Sequence, residues 1–97
     1  MFEIRLTQEA IEDLRSLRNY DQQQIVAEIG SQLGHEAVQP TRNRKRLRPN
    51  KLAEWELRVG DFRVFYDADM ASSIVKIVAV GHKQGNRLFI RGQEYEL

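Results

Sequence analysis

The sequence predicts an α+β fold of order β-α-α-β-β-β-β, a small, mainly antiparallel sheet with a two-helix hairpin packed on one face. Two segments with apolar residues at helical spacing follow a short alternating strand near the N-terminus. Farther along, the stretch WELRVGDFRVFY is typical of a β-hairpin, and an almost continuously apolar segment follows it. With 97 residues, the chain is expected to form one domain (residues 1–97) with a single thin core.

The N-terminal third predicts one strand over residues 2–6 and two helices over residues 7–17 and 21–33. Thr7 and Asp21 are the residue types that cap helix N-termini, and a glycine follows the second helix as its stop. The helices are short and close in sequence. They therefore predict an antiparallel hairpin whose apolar stripes face the sheet.

The remaining chain predicts four strands. A short basic strand spans residues 45–48, the hairpin spans residues 55–66, and a β-branched central strand spans residues 73–80. A glycine is expected to end that strand, so that residues 81–87 form a polar loop. Residues 91–97 are expected to be a loosely ordered tail.

The hairpin turn is predicted at Gly60-Asp61, because glycine at the first position of a two-residue loop favours a type II′ turn. Counting outward from that turn places six apolar residues on one face, which is a core face: Trp55, Leu57, Val59, Phe62, Val64 and Tyr66. The opposite face carries Arg58 directly across from Arg63, with Glu56 diagonal to Arg63. Like charges in such a pair cost up to about 1 kcal/mol, so either a bound anion or Glu56 must offset them.

Charge is distributed unevenly along the chain. Residues 1–36 hold seven acids and three bases, whereas residues 37–97 hold seven acids and twelve bases. Six of those bases lie close together with no acid among them: Arg42, Arg44, Lys45, Arg46, Arg48 and Lys51. Such a patch on a nearly neutral protein favours a polyanionic partner. The sheet face away from the helices, the outer face, is predicted to carry Arg46, Arg48, Arg58, Arg63 and Lys83.

Several other classes of protein are disfavoured. The chain has no cysteine, so disulfides and thiol chemistry are excluded. Its longest apolar run, residues 77–80, is too short to span a bilayer, and its N-terminus does not resemble a signal peptide. We therefore expect a cytoplasmic protein without membrane contact. The two histidines, His35 and His82, lie in no cluster of ligands, so neither a metal nor another cofactor is expected.

A basic sheet face can bind a phosphodiester and stabilise the charge that develops during phosphoryl transfer. RNA supplies its own nucleophile, the 2′-hydroxyl, so that such a reaction needs no metal. Glu56, His82 or a lysine of lowered pKa could then take the proton. A domain that only binds nucleic acid would carry the same residues.

The chain resembles the RelE/ParE superfamily of bacterial toxins from type II toxin–antitoxin operons. The resemblance rests on KRLR, LRVGDFRVFY and VGHK, in that order, and covers nearly the whole chain. Its RelE-like branch implies a toxin that inhibits translation by cleaving mRNA on the ribosome without a metal. The implied partners are the ribosome, mRNA and an antitoxin from the adjacent gene. Operator DNA would be contacted only through the antitoxin complex.

The resemblance also implies catalytic roles for five residues. Arg63 matches an arginine that stabilises the transition-state phosphate, and Lys83 stands where many members have a second arginine. Arg58 belongs to the LRVG motif, and His82 precedes Lys83 as in the GHR form. Glu56 is a candidate general base by its chemistry, since some related nucleases use a glutamate as base, but its position does not clearly match theirs.

Four further residues are predicted to bind RNA. Arg48 matches a basic position near the substrate backbone, and Arg46 and Lys51 lie beside it in the basic run. Phe89 stands at the position of a tyrosine in the best-known RelE nuclease. It can stack on a base but cannot exchange a proton.

Two alternatives remain open from the sequence. The ParE branch shares the fold and acts on DNA gyrase as a binding protein. A catalytically weak homologue that binds only its antitoxin or nucleic acid would also show these motifs.

Overall fold

The computed structural model describes residues 1–97 and confirms the α+β class, with two helices on one face of a mostly antiparallel sheet. Seven strands are present rather than the five that the sequence predicted. They run in the sheet order β2-β3-β4-β5-β6-β7, and β1 pairs in parallel with β5. The elements are β1 (Glu3–Leu6), α1 (Gln8–Arg15), α2 (Asn19–Glu36), β2 (Arg44–Arg46), β3 (Trp55–Val59), β4 (Phe62–Asp69), β5 (Ile74–Gln84), β6 (Arg87–Ile90) and β7 (Gln93–Tyr95).

The main core lies between the helices and the sheet, as the apolar stripes predicted. Thr7 caps α1 by accepting a hydrogen bond from the backbone N–H of Ala10. The helices and the facing strands bury one cluster of fourteen residues: Ala10, Leu14, Ile25, Ile29, Leu33, Ala37, Trp55, Leu57, Val59, Val64, Tyr66, Val75, Ile77 and Val80.

The second helix is longer than predicted at both ends. It begins at Asn19 after Arg18, so that Asp21 lies in its first turn and is not its N-cap. It also continues through Gly34 to Glu36. A glycine inside a helix costs about 1 kcal/mol, and contacts from the sheet to this last turn offset that cost.

Two side chains from the sheet fix the C-terminal end of α2. The guanidinium of Arg44 donates to the carbonyl oxygen of Gln32 at 2.7 Å and to that of Gln39 at 3.0 Å, and it lies 3.3 Å from the carboxylate of Glu36. The Tyr66 hydroxyl donates to the carbonyl oxygen of Ala37 at 2.7 Å. Arg44 is therefore a buried structural residue, although it belongs to the basic run.

The predicted hairpin is confirmed in register and in turn. Trp55 pairs with Tyr66, Arg58 pairs with Arg63, and the pairs between and beyond them follow the predicted count. Gly60 has a φ of 57°, whereas Asp61 does not have a positive φ. This pattern belongs to a type II′ turn, since a type I′ turn needs positive φ at both positions.

The C-terminal third differs from the prediction. Strand β5 passes through Gly81 to Gln84, and the chain then turns at Gly85 into β6 and β7. A Cβ on Gly81 would lie 2.6 Å from the carbonyl oxygen of Phe89 and 2.8 Å from Ile90 Cγ1. Glycine at this position thus permits close pairing with β6 and does not end the strand. The expected loose tail is also wrong, because β7 pairs with β6.

A second, smaller apolar cluster lies on the outer face. It is formed by Ala53, Phe65, Ala79, Leu88 and Ile90, with Leu47, Leu52, Val78, Tyr95 and Leu97 packed around them. The outer face is therefore interrupted by apolar side chains and is not one continuous basic surface. Neither helix combines the length and apolar character needed to cross a membrane.

Tyr66 makes the stability of the fold decrease with rising pH in the alkaline range. Burial raises the pKa of its hydroxyl above the ordinary value of 10.0, and the charge of Arg44 opposes that shift. A raised pKa gives stability that is complete below the pKa of the unfolded state and is lost as pH rises above it. We expect the free energy of unfolding to fall as pH rises above about 10.

Tyr66→Phe should remove this tyrosine's part of the pH dependence and cost about 1 kcal/mol at neutral pH, because the hydrogen bond to Ala37 is lost. Urea unfolding at several pH values measures both effects. The exposed Tyr20 provides the control, since Tyr20→Phe should change neither. Equal pH dependence in wild type and Tyr66→Phe would contradict the assignment.

Candidate functional site

Four of the five predicted catalytic residues lie together near the Gly60-Asp61 turn, on the outer face. Arg58 and Arg63 are direct cross-strand partners, and Glu56 precedes Arg58 by two residues on the same face. Gly81 pairs with Arg63, so Lys83, two residues farther along β5, points to the same side. We call this region the turn end of the outer face.

Arg63 is built into the turn. Its side chain is buried, with 8% of the residue exposed, and Nη1 donates to the carbonyl oxygens of Gly60 at 2.9 Å and Phe62 at 2.8 Å. The guanidinium of Arg63 turns back toward these carbonyl oxygens, and their negative partial charge offsets the repulsion from Arg58 on the opposite strand. Arg63 therefore lies on the outer face as predicted, but its side chain is buried there.

Glu56 partly neutralises the charge of Arg63, which is one of the two alternatives that the sequence left open. Its Oε2 lies 3.9 Å from Arg63 Nε, which is an ion pair but too long for a hydrogen bond. Arg63 Nε is buried and has no hydrogen-bond partner. Burial lowers the pKa of Arg63, the charge of Glu56 opposes that shift, and the charge of Arg58 adds to it. The guanidinium remains charged at neutral pH.

The turn end also holds cations without acidic partners. No carboxylate lies within 4.0 Å of the charged groups of Arg58, Lys83 or Lys45. Lys45 reaches this region because it pairs with Glu56 across β2 and β3. The sequence placed Lys45 on the other side of its strand, and Arg46 on the outer face.

Arg46 instead lies on the helix side of the sheet, so its predicted placement is wrong. It pairs with Trp55, and its guanidinium carbon lies 5.7 Å from the centre of that ring. Strand β2 is only three residues long, and its register follows from the burial of Arg44 opposite Leu57. A shift of one residue in a strand exchanges its two faces. The burial of Arg44 was therefore the missing signal.

His82 and Phe89 also lie on the helix side, away from Arg63. They are direct partners between β5 and β6, and their rings stack with centroids 5.7 Å apart. Both border a cavity of about 320 Å³ that the Asp13–Arg91 ion pair also lines. The sequence predicted a polar loop over residues 81–87 and named His82 as a candidate to take the proton. In the strand that forms, His82 and its neighbour Lys83 point to opposite faces.

The predicted RNA-binding residues Arg48 and Lys51 lie on the far side of the outer apolar cluster. They belong to the connection between β2 and β3, where they line an open groove next to the β4–β5 turn. We call this region the loop end of the outer face. The basic run thus contributes Lys45 to the turn end and Arg48 and Lys51 to the loop end.

The turn end can bind an anion and move a proton. Arg58, Lys45 and Lys83 offer positive charge that is not engaged in a salt bridge, and the buried guanidinium of Arg63 adds a fixed positive charge. Glu56 is the carboxylate in contact with this group, with its side chain 15% exposed. No group of three or more side chains that could hold a metal ion is present.

Comparisons with known proteins place this fold among toxins. The family model described as ParE toxin of type II toxin-antitoxin system, parDE, matches residues 4–87. No curated protein matches the chain at a significant level. Among solved structures, the RelBE2 toxin–antitoxin complex of Mycobacterium tuberculosis matches with a TM-score of 0.70 and 28% identity, covering 84% of this chain and 98% of that chain.

Two more distant structures show the same fold. The archaeal RelE–RelB complex from Pyrococcus horikoshii matches with a TM-score of 0.69 and 20% identity, covering 88% of this chain and 97% of that chain. An E. coli RelE mutant bound to a peptide of its antitoxin matches with a TM-score of 0.58 and 13% identity, covering 87% of this chain and 85% of that chain.

The charges of the turn end predict stability changes of opposite sign. Arg58→Gln should raise the free energy of unfolding by about 0.5 kcal/mol, because it removes repulsion across the pair with Arg63. Glu56→Gln should lower it by about 1–2 kcal/mol, because it leaves the buried Arg63 without its counter-charge. Urea unfolding at pH 7 measures both. The exposed Arg15 on α1 is the control site, and destabilisation by Arg58→Gln would contradict the repulsion.

Proposed function

The chain belongs to the ParE toxin family of type II toxin–antitoxin systems, within the RelE/ParE superfamily, and we propose that this toxin is a metal-independent, ribosome-dependent mRNA endonuclease. The observation that supports the proposal is the composition of the turn end. It combines three cations that form no salt bridge, one buried arginine with an unpaired Nε, and one carboxylate 3.9 Å from that nitrogen. The carboxylate supplies a proton acceptor next to the cations, which a metal-independent nuclease requires.

In the proposed reaction, the RNA 2′-hydroxyl attacks the adjacent phosphorus, and the bond from phosphorus to the 5′-oxygen breaks. Glu56 takes the proton of the 2′-hydroxyl. Arg58 and Arg63 stabilise the additional negative charge on the phosphate oxygens. The ammonium groups of Lys83 and Lys45 are the proton donors available to the leaving oxygen. His82 is left out of this step because it faces the helix side.

The proposed partners follow from the family. The structures matched above are toxin–antitoxin complexes, which supports a cognate antitoxin encoded by the adjacent gene. We propose that the toxin acts in the cytoplasm on the ribosome and its mRNA. It would reach operator DNA only through the antitoxin complex.

Inhibition of DNA gyrase is the second candidate. It is supported by the family description, which names a ParE toxin, and by the orientation of two predicted site residues. His82 and Phe89 lie on the helix side, and a nuclease that needs an aromatic side chain beside the scissile phosphate would have to find it elsewhere. Under this alternative, the turn end is a surface that binds protein.

Expression in bacteria without the antitoxin tests the nuclease proposal. We expect growth arrest with new mRNA 5′ ends inside translated codons. Glu56→Gln should reduce the rate of cleavage by roughly 100-fold or more, because a general base contributes about that much. The measurement is the mapping of mRNA ends on isolated ribosomes, together with circular dichroism to show that the variant is folded.

The control is Arg18→Gln, which changes an exposed arginine on the helix side and should leave toxicity intact. Intact mRNA combined with a loss of DNA supercoiling would identify the gyrase inhibitor and refute the nuclease. Full cleavage by Glu56→Gln would show that Glu56 is not the base.

A further inference from the structure

The loop end of the outer face contains an open groove of about 890 Å³. One side is the connection between β2 and β3, which supplies Arg48 and Lys51. The other side is the end of β4 and the start of β5, which supplies Lys76. Lys76 was not among the predicted binding residues, because the sequence showed it only as one polar position in an apolar strand.

The acids of this groove are already engaged by the main chain. Asp67 Oδ1 accepts the backbone N–H of Glu54 at 2.8 Å, and Glu54 Oε1 accepts the backbone N–H of Ala68 at 3.3 Å. Asp69 Oδ1 accepts the backbone N–H of Ala71 at 3.0 Å. Each of these carboxylates uses one oxygen to hold the backbone around the groove, and none of them forms a salt bridge with a base of the groove.

Unlike the acids, the basic side chains of the groove form no hydrogen bonds or salt bridges within the protein. Arg48, Lys51 and Lys76 have no carboxylate within 4.0 Å and donate no side-chain hydrogen bond within the protein. Arg46 is not one of these bases, because its guanidinium carbon lies on the helix side, 5.7 Å from the centre of the Trp55 ring. The groove therefore offers several free cationic donors on two opposing sides, which suits an extended anion that passes between them.

Asn50 holds the basic side of the groove in one conformation. Its Nδ2 donates to the carbonyl oxygens of Arg48 at 2.7 Å and Ala53 at 2.9 Å, and its Oδ1 accepts the N–H groups of Leu52 at 2.7 Å and Ala53 at 3.0 Å. The outer apolar cluster anchors Leu52 and Ala53 from below. A loop fixed in this way loses less conformational entropy when its basic side chains bind.

We propose that this groove is a second binding site for a single-stranded RNA backbone, in which Arg48, Lys51 and Lys76 contact phosphates and Asn50 is a positioning residue. The inference rests on the proposed function in that RNA is the ligand. Arg63 and Asp67 lie four residues apart on the outer face of β4, about 13 Å along the strand. One extended RNA strand can therefore contact the turn end and the groove together.

A non-cleavable RNA tests the groove separately from catalysis. The probe is a fluorescent 2′-O-methyl oligonucleotide of roughly 20 nucleotides, and its affinity for the purified full chain is measured by anisotropy across a salt series. Lys51→Ala combined with Lys76→Ala should weaken binding roughly tenfold at low salt. The slope of log affinity against log salt should become shallower by about 1.4, since single strands release about 0.7 counterions per contact.

Asn50→Ala separates positioning from charge. It keeps every cation, so the salt slope should stay at the wild-type value while affinity falls roughly threefold, because the loop must be ordered on binding. Arg15→Ala combined with Arg18→Ala is the matched control. It removes two exposed cations on the helix side and should change affinity by less than about twofold.

Two results would contradict the proposed RNA site in the groove. One is wild-type RNA affinity in the Lys51 and Lys76 variant, and the other is an equal loss of RNA affinity in the Arg15 and Arg18 control. The proposal would also be overturned if the groove variants bound RNA normally but lost binding to an acidic antitoxin peptide, since the groove would then be a peptide site. The two proposals can fail separately. Binding of the probe through the groove without any mRNA cleavage refutes the nuclease alone, and cleavage without a groove effect refutes the groove alone.

Discussion

The register of the β3–β4 hairpin is the constraint on which the rest of the structure depends. The turn at Gly60 fixes the pairing, and the alternation of the two strands then decides which side chains enter the core. A slip of one residue would turn Arg58 toward the helices and Leu57 toward the outer face. The stacked rings of Trp55 and Tyr66, 6.2 Å apart, pack in the core at the far end of the hairpin and oppose that slip.

Arg63 joins the stability of the hairpin to the chemistry of its outer face. Its Nη1 satisfies two carbonyl oxygens of the turn, while its Nε remains buried without an acceptor. An unsatisfied buried donor costs about 1–3 kcal/mol, and Glu56 at 3.9 Å recovers only part of that cost. The free protein thus keeps a buried positive charge and an unpaired donor beside the cations of the turn end, at a cost to its own stability.

Local patterns were sufficient to predict the hairpin, its register, the helical stripes and the main core, because period and turn chemistry determine them within a few residues. They were insufficient where distant contacts decide. Arg46 faces the helices because Arg44 is drawn into the end of α2. His82 lies away from Arg63 because Gly81 continues a strand against β6, and a glycine in such a position signals a stop and a close contact equally well.

The small apolar cluster around Phe65 divides the outer face into two charged regions, the turn end and the loop end. A chain of this length buries little surface in one core, so a second cluster adds burial on the other side of the same sheet. It also keeps the charged residues of the turn end apart from those of the loop end. The turn end sits on paired strands and holds Arg63 through two hydrogen bonds, whereas the loop end displays exposed basic side chains, of which Arg48 and Lys51 stand on a loop fixed by Asn50. A fixed group suits a reacting phosphate, and long cationic side chains suit the backbone on either side of it.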